Sequence, residues 1–187
     1  MEFLVIPFFG FPLLVLLLIV VWYNGLVRAR NFCEEAWADI DTELKRRYDL
    51  IPNLVEAVKG YAKHEQTVLV QVVEARNRAM SAHASVRDLA QDENQLIAGL
   101  RHLFAVVENY PELKASTNFL HLQQELVNTE DRIQRARRFY NGNVRDLNNR
   151  IETFPSNLVA GIFQFQKKDY FEIDSAMERI APTVAFS

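Results

Sequence analysis

The chain has 187 residues, room for one domain. Its 21 Lys and Arg against 24 Asp and Glu leave a formal net charge of −3, which gives no electrostatic reason to bind nucleic acid or to be disordered. A single cysteine, Cys33, excludes an intramolecular disulfide and a cysteine-based metal site.

From Phe3 to Val27 there is no charged residue. A helix of roughly 20 apolar residues crosses a hydrocarbon core of about 30 Å, so this run is long enough to span a bilayer. Trp22 and Tyr23 stand where an interfacial aromatic pair belongs. Pro7, Gly10 and Pro12 weaken the first turns and place the start of firm helix near Leu13. A cleaved signal peptide needs a basic start and a small-residue cleavage site. Met1-Glu2 and the bulky Val21-Trp22-Tyr23 supply neither, so residues 1–27 read as an uncleaved transmembrane signal anchor. Arg28 and Arg30, then Lys45, Arg46 and Arg47, follow the span, and no Lys or Arg precedes it. The positive-inside rule then predicts a single-pass protein of the inner (cytoplasmic) membrane, with its N-terminus outside and its body in the cytoplasm.

Apolar residues at helical spacing carry the next stretch: Leu26, Cys33, Trp37, Ile40, Leu44 and Tyr48. Pro52 lacks an N–H and disfavours helix in the residue before it, which predicts a turn there, with one helix over 23–49 and the next from Pro52 to Ala82. The second helix places Leu54, Val58, Tyr61, Val68, Val72, Ala75 and Ala79 inside, and Glu65 interrupts that seam. A turn at 81–86 leads to a third helix over 87–108, with Leu89, Leu96, Leu100, Phe104 and Val107 inside; Pro111 follows it. The fourth, over about 114–154, is the most regular: Phe119, Leu122, Leu126, Thr129, Ile133, Ala136, Tyr140, Val144, Leu147, Ile151 and Phe154. Gly142 lies within it and Pro155 ends it.

Short turns join antiparallel neighbours. The predicted fold is therefore all-α: an N-terminal transmembrane helix continuous with an antiparallel up-down-up-down four-helix bundle, plus a short aromatic C-terminal segment. The expected divisions are 1–27 for the anchor, 28–154 for the bundle and 155–187 for the amphipathic tail. At about 1.5 Å per residue the fourth helix is roughly 60 Å long and the third about 33 Å. The fourth must then bend near Asn141-Gly142 or project past its neighbours, and a projecting half wants a partner, such as a neighbouring copy. The tail carries Phe163, Phe165 and Phe171 beside Lys167-Lys168, a pattern that fits either an interfacial membrane segment or a cap on the open end of the bundle.

The runs KRRYDLIPNLVEAVKGYAKHE (Lys45–Glu65), ENYPELKA (Glu108–Ala115), LQQELVNTEDRIQRARRFYNGNV (Leu122–Val144) and IETFPSN (Ile151–Asn157) resemble the LemA family of bacterial membrane proteins, over roughly Tyr23 to Phe171. The resemblance implies a mostly helical bundle behind an N-terminal anchor, and no catalytic or cofactor residues. Leu147 stands where the family often has Tyr, and Gln164 where it often has Gly before Phe.

Catalytic patterns are missing from the sequence. A di-metal bundle site needs Glu-x-x-His on two helices. The residues three before His64, His83, His102 and His121 are Tyr61, Met80, Gly99 and Asn118, none of them a carboxylate. His64-Glu65 begins like a zinc-protease motif, but Val68 stands where the second His belongs. Cys33, on an inner face, reads as a small buried residue. The candidate polar layer is Glu65 with Thr129 and Glu130 at the same depth, and Arg132 or Arg135 as charge partners; it is expected to set helix register or to line a ligand pocket. Arg137 and Arg138, and Arg46, Arg47, Asp49 and Asn53 at the Pro52 turn, are candidate partner contacts. Trp22, Tyr23, Phe163, Phe165 and Phe171 are candidate membrane-interface residues.

The sequence thus predicts a non-enzymatic single-pass membrane protein without cofactor, nucleic-acid partner or evident small-molecule substrate. It presents a helical bundle as a scaffold or adaptor, through self-association or another membrane protein. The alternative is a lipid-interface protein that senses or remodels the membrane through its aromatic tail.

Overall fold

The computed structural model describes residues 2–62 and 64–173, with side chains from Gly10 onward. The last part of the predicted 155–187 tail, residues 174–187, lies outside the described residues. The chain forms α1 (Glu2–Lys59), α2 (Gln66–Ala79), α3 (Val86–Val107), the short α4 (Pro111–Lys114), α5 (Thr117–Glu152) and α6 (Ser156–Ile162). It divides into two compact units. One takes in the chain up to Trp37 with Phe139–Asp169; the other takes in Ala38–Arg138 and the residues from Tyr170.

The first unit holds the apolar run. Helix α1 is already helical at Glu2, ahead of the predicted start near Leu13. An 18-residue window of it has mean hydropathy 2.2, and little of that window is buried. Past the span, Leu26, Ala29, Cys33 and Ala36 of α1 are buried, as are Tyr140, Val144 and Leu147 of α5. Trp37 and Tyr140 pack ring to ring at 5.1 Å, and Asn143 Nδ2 donates to the Phe32 carbonyl at 3.4 Å. The far half of α5, expected to want a neighbouring copy, thus has its partner in the same chain, and no helix break falls at Gly142. Beyond α6 the chain runs back along α5. Asn148 clamps Lys168 with two 3.0 Å hydrogen bonds, one to its carbonyl and one from its N–H, and Tyr140 donates to the Asp169 carbonyl at 3.0 Å.

The turn out of α6 is tight: Phe165 N–H donates to the Ala160 carbonyl at 2.9 Å, and Gln164 has φ 55. That left-handed conformation is the one glycine adopts without penalty. The turn therefore forms with Gln at a left-handed position.

The second unit is the bundle, built from α1 beyond Trp37, α2, α3 and the first half of α5. Its buried stripe on α1 runs Ile40, Leu44, Arg47, Ile51, Leu54 and Val58 at three- and four-residue steps. Ser85 caps α3, accepting from the Asp88 N–H at 3.1 Å. Pro111 opens α4 in the first helical turn, where its missing N–H is no loss.

The largest departure from expectation is at Pro52. No turn forms there; α1 continues to Lys59, and the reversal falls between Lys59 and Gln66, where α2 begins. Tyr61, predicted inside, lies in that reversal and is exposed. The physical reason is visible one helix away. Pro52 has no N–H to give the Tyr48 carbonyl, but Arg76 Nε of α2 donates to that carbonyl at 2.7 Å. A side chain from the neighbouring helix replaces the missing backbone donor, so the helix tolerates its proline.

This exchange predicts a coupled mutational response. Arg76→Ala leaves the Tyr48 carbonyl unpaired and should destabilise the bundle by about 1–3 kcal/mol. In a Pro52→Ala background the backbone N–H returns, and the same substitution should cost much less. A thermal-melting double-mutant cycle on the detergent-purified protein measures the coupling; equal losses in both backgrounds would show that Arg76 plays no such part.

Candidate functional site

Within the second unit the polar residues converge on one buried point. Arg47 of α1 is fully buried, as is Glu93 of α3, and Glu130 of α5 is nearly so. The guanidinium lies between the two carboxylates, with Nη1 at 2.9 Å from Glu130 Oε2 and Nη2 in contact with Glu93 Oε2. Two neutral donors complete the cluster. Gln134 Nε2 gives to Glu130 Oε1 at 3.1 Å, and the Tyr48 hydroxyl gives its proton to Glu93 Oε1, with the Ala79 carbonyl at 3.2 Å. Burial pushes the Tyr48 phenol up to about 12, against the pull of the adjacent Arg47 charge. It stays a donor through the whole physiological range.

A buried charge needs partners because desolvation is costly, and here one cation is shared by two carboxylates from two other helices. The arrangement ties α1, α3 and α5 together through one shared cation. Replacing Arg47 with Leu should destabilise the protein by about 3–5 kcal/mol, because two carboxylates then share a core without a cation. Glu130→Gln, which keeps a hydrogen-bonding group, should cost clearly less. Thermal melting of the two variants checks the order, and equal small effects would mean the cluster is open to water.

The predicted layer around Glu65 does not assemble. Because α1 runs on to Lys59, Glu65 falls at the entry of α2, partly exposed, with the Tyr110 hydroxyl 3.5 Å from its Oε1. Thr129 is buried but bonds its own helix, donating to the Glu125 carbonyl at 2.8 Å. Arg132 and Arg135 are exposed. Arg47, expected at a partner-binding turn, is instead the core cation, because α1 turns that side inward with Leu44 and Ile51. Arg46, Asp49 and Asn53 are exposed and, with no turn at Pro52, share one stripe of α1. Arg137 donates to the Ile173 carbonyl, and Arg138 is exposed. Phe171, expected at a membrane interface, is fully buried in the second unit, where Ile173 is also buried. Two core members, Arg47 and Glu93, were missed as a pair, although the gap in the apolar seam between Leu89 and Leu96 has Glu93 at its middle.

In the first unit three interface candidates meet. Tyr23 packs on Phe163 at 4.7 Å and on Phe165 at 5.8 Å, and Trp22 stands beside it on α1. The Arg30 guanidinium lies 5.7 Å from the Phe165 ring centroid. Leu158 and Ile162, one turn apart on α6, are exposed, the second to 71%, and Phe154 in the break before α6 is exposed to 74%. Cys33 is buried, and burial raises its thiol above the ordinary range, so it is a weak nucleophile. Among the described residues no three His, Cys, Asp or Glu side chains are grouped to hold a metal ion.

An apolar helix long enough to cross a bilayer, running without a linker into a packed helical body, defines a membrane-anchored helical protein. The LemA family profile matches residues 36–186, and the chain belongs to the LemA family. It is 26% identical to Protein LemA of Metamycoplasma hominis over 183 residues, covering 90% of this chain and 84% of that protein. It is 25% identical to Magnetosome protein MamQ 2 of Paramagnetospirillum magneticum over 175 residues, and 23% identical to Magnetosome protein MamQ of Magnetospirillum gryphiswaldense over 174 residues. Each of these two matches covers 80% of this chain and 64% of the magnetosome protein's length.

Proposed function

We propose that this protein is a non-enzymatic membrane scaffold that holds a helical body at the bilayer surface and docks there on a second copy or on another membrane protein. One observation carries the reading. Phe32 of α1 and Phe139 of α5, on the helix pair that continues the span, are 54% and 58% exposed. Asn143, one turn from Phe139, bonds the Phe32 carbonyl, so the two rings belong to neighbouring turns of one packed pair. Exposed aromatics on a rigid helix pair suit the centre of a protein contact. The buried charges of the bundle, by contrast, are consumed internally and offer no reactive group. The flanking Arg28 and Arg30 favour the cytoplasmic side for this body.

A second reading, contact with the lipid interface, is supported by the exposed Leu158 and Ile162 of α6, which leads directly into Phe163 and Phe165 of the aromatic cluster on Tyr23. The depth of Ile162 in a bilayer discriminates it.

The scaffold reading is tested by the native mass of the full-length protein in mild detergent, with identification of what co-purifies. A defined homo-oligomer or a stoichiometric partner is expected, lost in a Phe32→Ser/Phe139→Ser variant that keeps its melting temperature. A bare monomer in both would overturn the reading.

A further inference from the structure

Where the apolar run of α1 ends, the first unit has a cleft of about 360 Å³ lined by Val21, Trp22, Gly25, Arg28, Arg150 and Ser156, among others. Its floor belongs to the end of the span and its rim is basic. Arg150 comes from the last turn of α5, 122 residues after Arg28 in the chain numbering, so the pairing is made by the fold and not by local sequence. The Arg150 Nε is bound to Asp146 Oδ2 at 2.9 Å, which aims the rest of the guanidinium at α1. It comes so close that a Cβ added at Gly25 would stand 3.2 Å from Nη1. Glycine at 25 therefore leaves room for a cation against the helix. Arg28 is exposed and, among the described residues, makes no ion pair or hydrogen bond. Three nearby cations are engaged: Lys167 with Glu152, Lys168 with Glu34 at 3.6 Å, and Arg30 over Phe165.

We propose that this cleft binds the phosphate headgroup of an anionic phospholipid, with Arg28 and Arg150 as the phosphate ligands and Trp22 and Val21 against the first carbons of the acyl chains. The inference rests on α1 lying in the membrane. Continuity with the span selects a lipid over a free phosphate: the apolar wall of the cleft is the end of the membrane helix itself. Guanidinium groups pair with phosphate by charge-assisted hydrogen bonds. Each arginine near an anionic surface favours binding by roughly fivefold, so the pair should give a preference of roughly 25-fold.

Native mass spectrometry of the full-length protein in mild detergent, titrated with dioleoyl phosphatidylglycerol and with dioleoyl phosphatidylcholine, reads this directly. The wild type is expected to prefer phosphatidylglycerol by roughly 25-fold, Arg28→Gln/Arg150→Gln to lose the preference, and Arg28→Lys/Arg150→Lys to keep part of it. Gly25→Ala, which pushes the Arg150 guanidinium away, should weaken it with melting unchanged. Equal binding of the two lipids by the wild type, an undiminished preference in the Gln variant, or displacement of the lipid by millimolar inorganic phosphate would each overturn the proposal. Flotation of the wild type with phosphatidylcholine vesicles separates the two claims. A protein that floats but shows no lipid preference sinks only the cleft; one that does not float sinks the membrane anchor beneath it.

Discussion

One buried guanidinium organises the bundle. Arg47 takes its place in the core only if α1, α3 and α5 bring it, Glu93 and Glu130 to one point. Apolar seams alone tolerate small slips of one helix along another, because one leucine replaces the next at little cost. A shared cation does not: a slip by one turn leaves at least one carboxylate buried without its partner, a loss of several kcal/mol on the scale of a broken buried ion pair. The cluster thus acts as a key for helix register, in the way single polar positions do in coiled coils.

The residue after the key extends its reach to the remaining helix. Tyr48 touches α2 twice, with its hydroxyl near the Ala79 carbonyl and its own carbonyl held by Arg76. The second contact lets α1 run through Pro52 as one helix of 58 residues. With the turn displaced past Lys59, α1 carries a single buried stripe from Leu26 to Val58, and each unit draws its own part of the core from it. The outward chemistry is of another kind. It lies in the first unit, where exposed aromatics, exposed apolar residues and basic side chains collect around the end of the apolar run.

Much of this was legible in the sequence. The period of the apolar residues located α3 and α5 within a few residues, since helices with a continuous buried stripe declare themselves through spacing alone. Pro52 was misread for a definite reason. The rule that proline breaks helices concerns a donor lost locally, and the compensating donor, Arg76, is 24 positions away and recognisable only once α2 lies against α1. Glu65 and Glu93 show the same limit from the other side. Both interrupt a seam by a carboxylate, and periodicity cannot say which one finds a cation. Arg47 was visible as a basic residue between Leu44 and Ile51, yet a neighbouring proline gave it the look of a surface turn. The tail divided in a way composition could not foresee, with Phe171 entering the core while Phe163 stays beside Tyr23. Gln164 shows that a turn can form without the glycine that eases it.

The proposed scaffold and the proposed headgroup cleft both put the basic and aromatic end of the first unit at a membrane surface, beside the anchor. A polarity-sensitive dye on Ile162→Cys, in the full-length protein reconstituted into vesicles, tests this placement most directly, with a second dye on Asn53→Cys as the solvent reference. The account predicts blue-shifted emission at position 162, quenched by nitroxide-labelled lipid at headgroup depth, and water-like unquenched emission at position 53. Water-like, unquenched emission at both positions would contradict it.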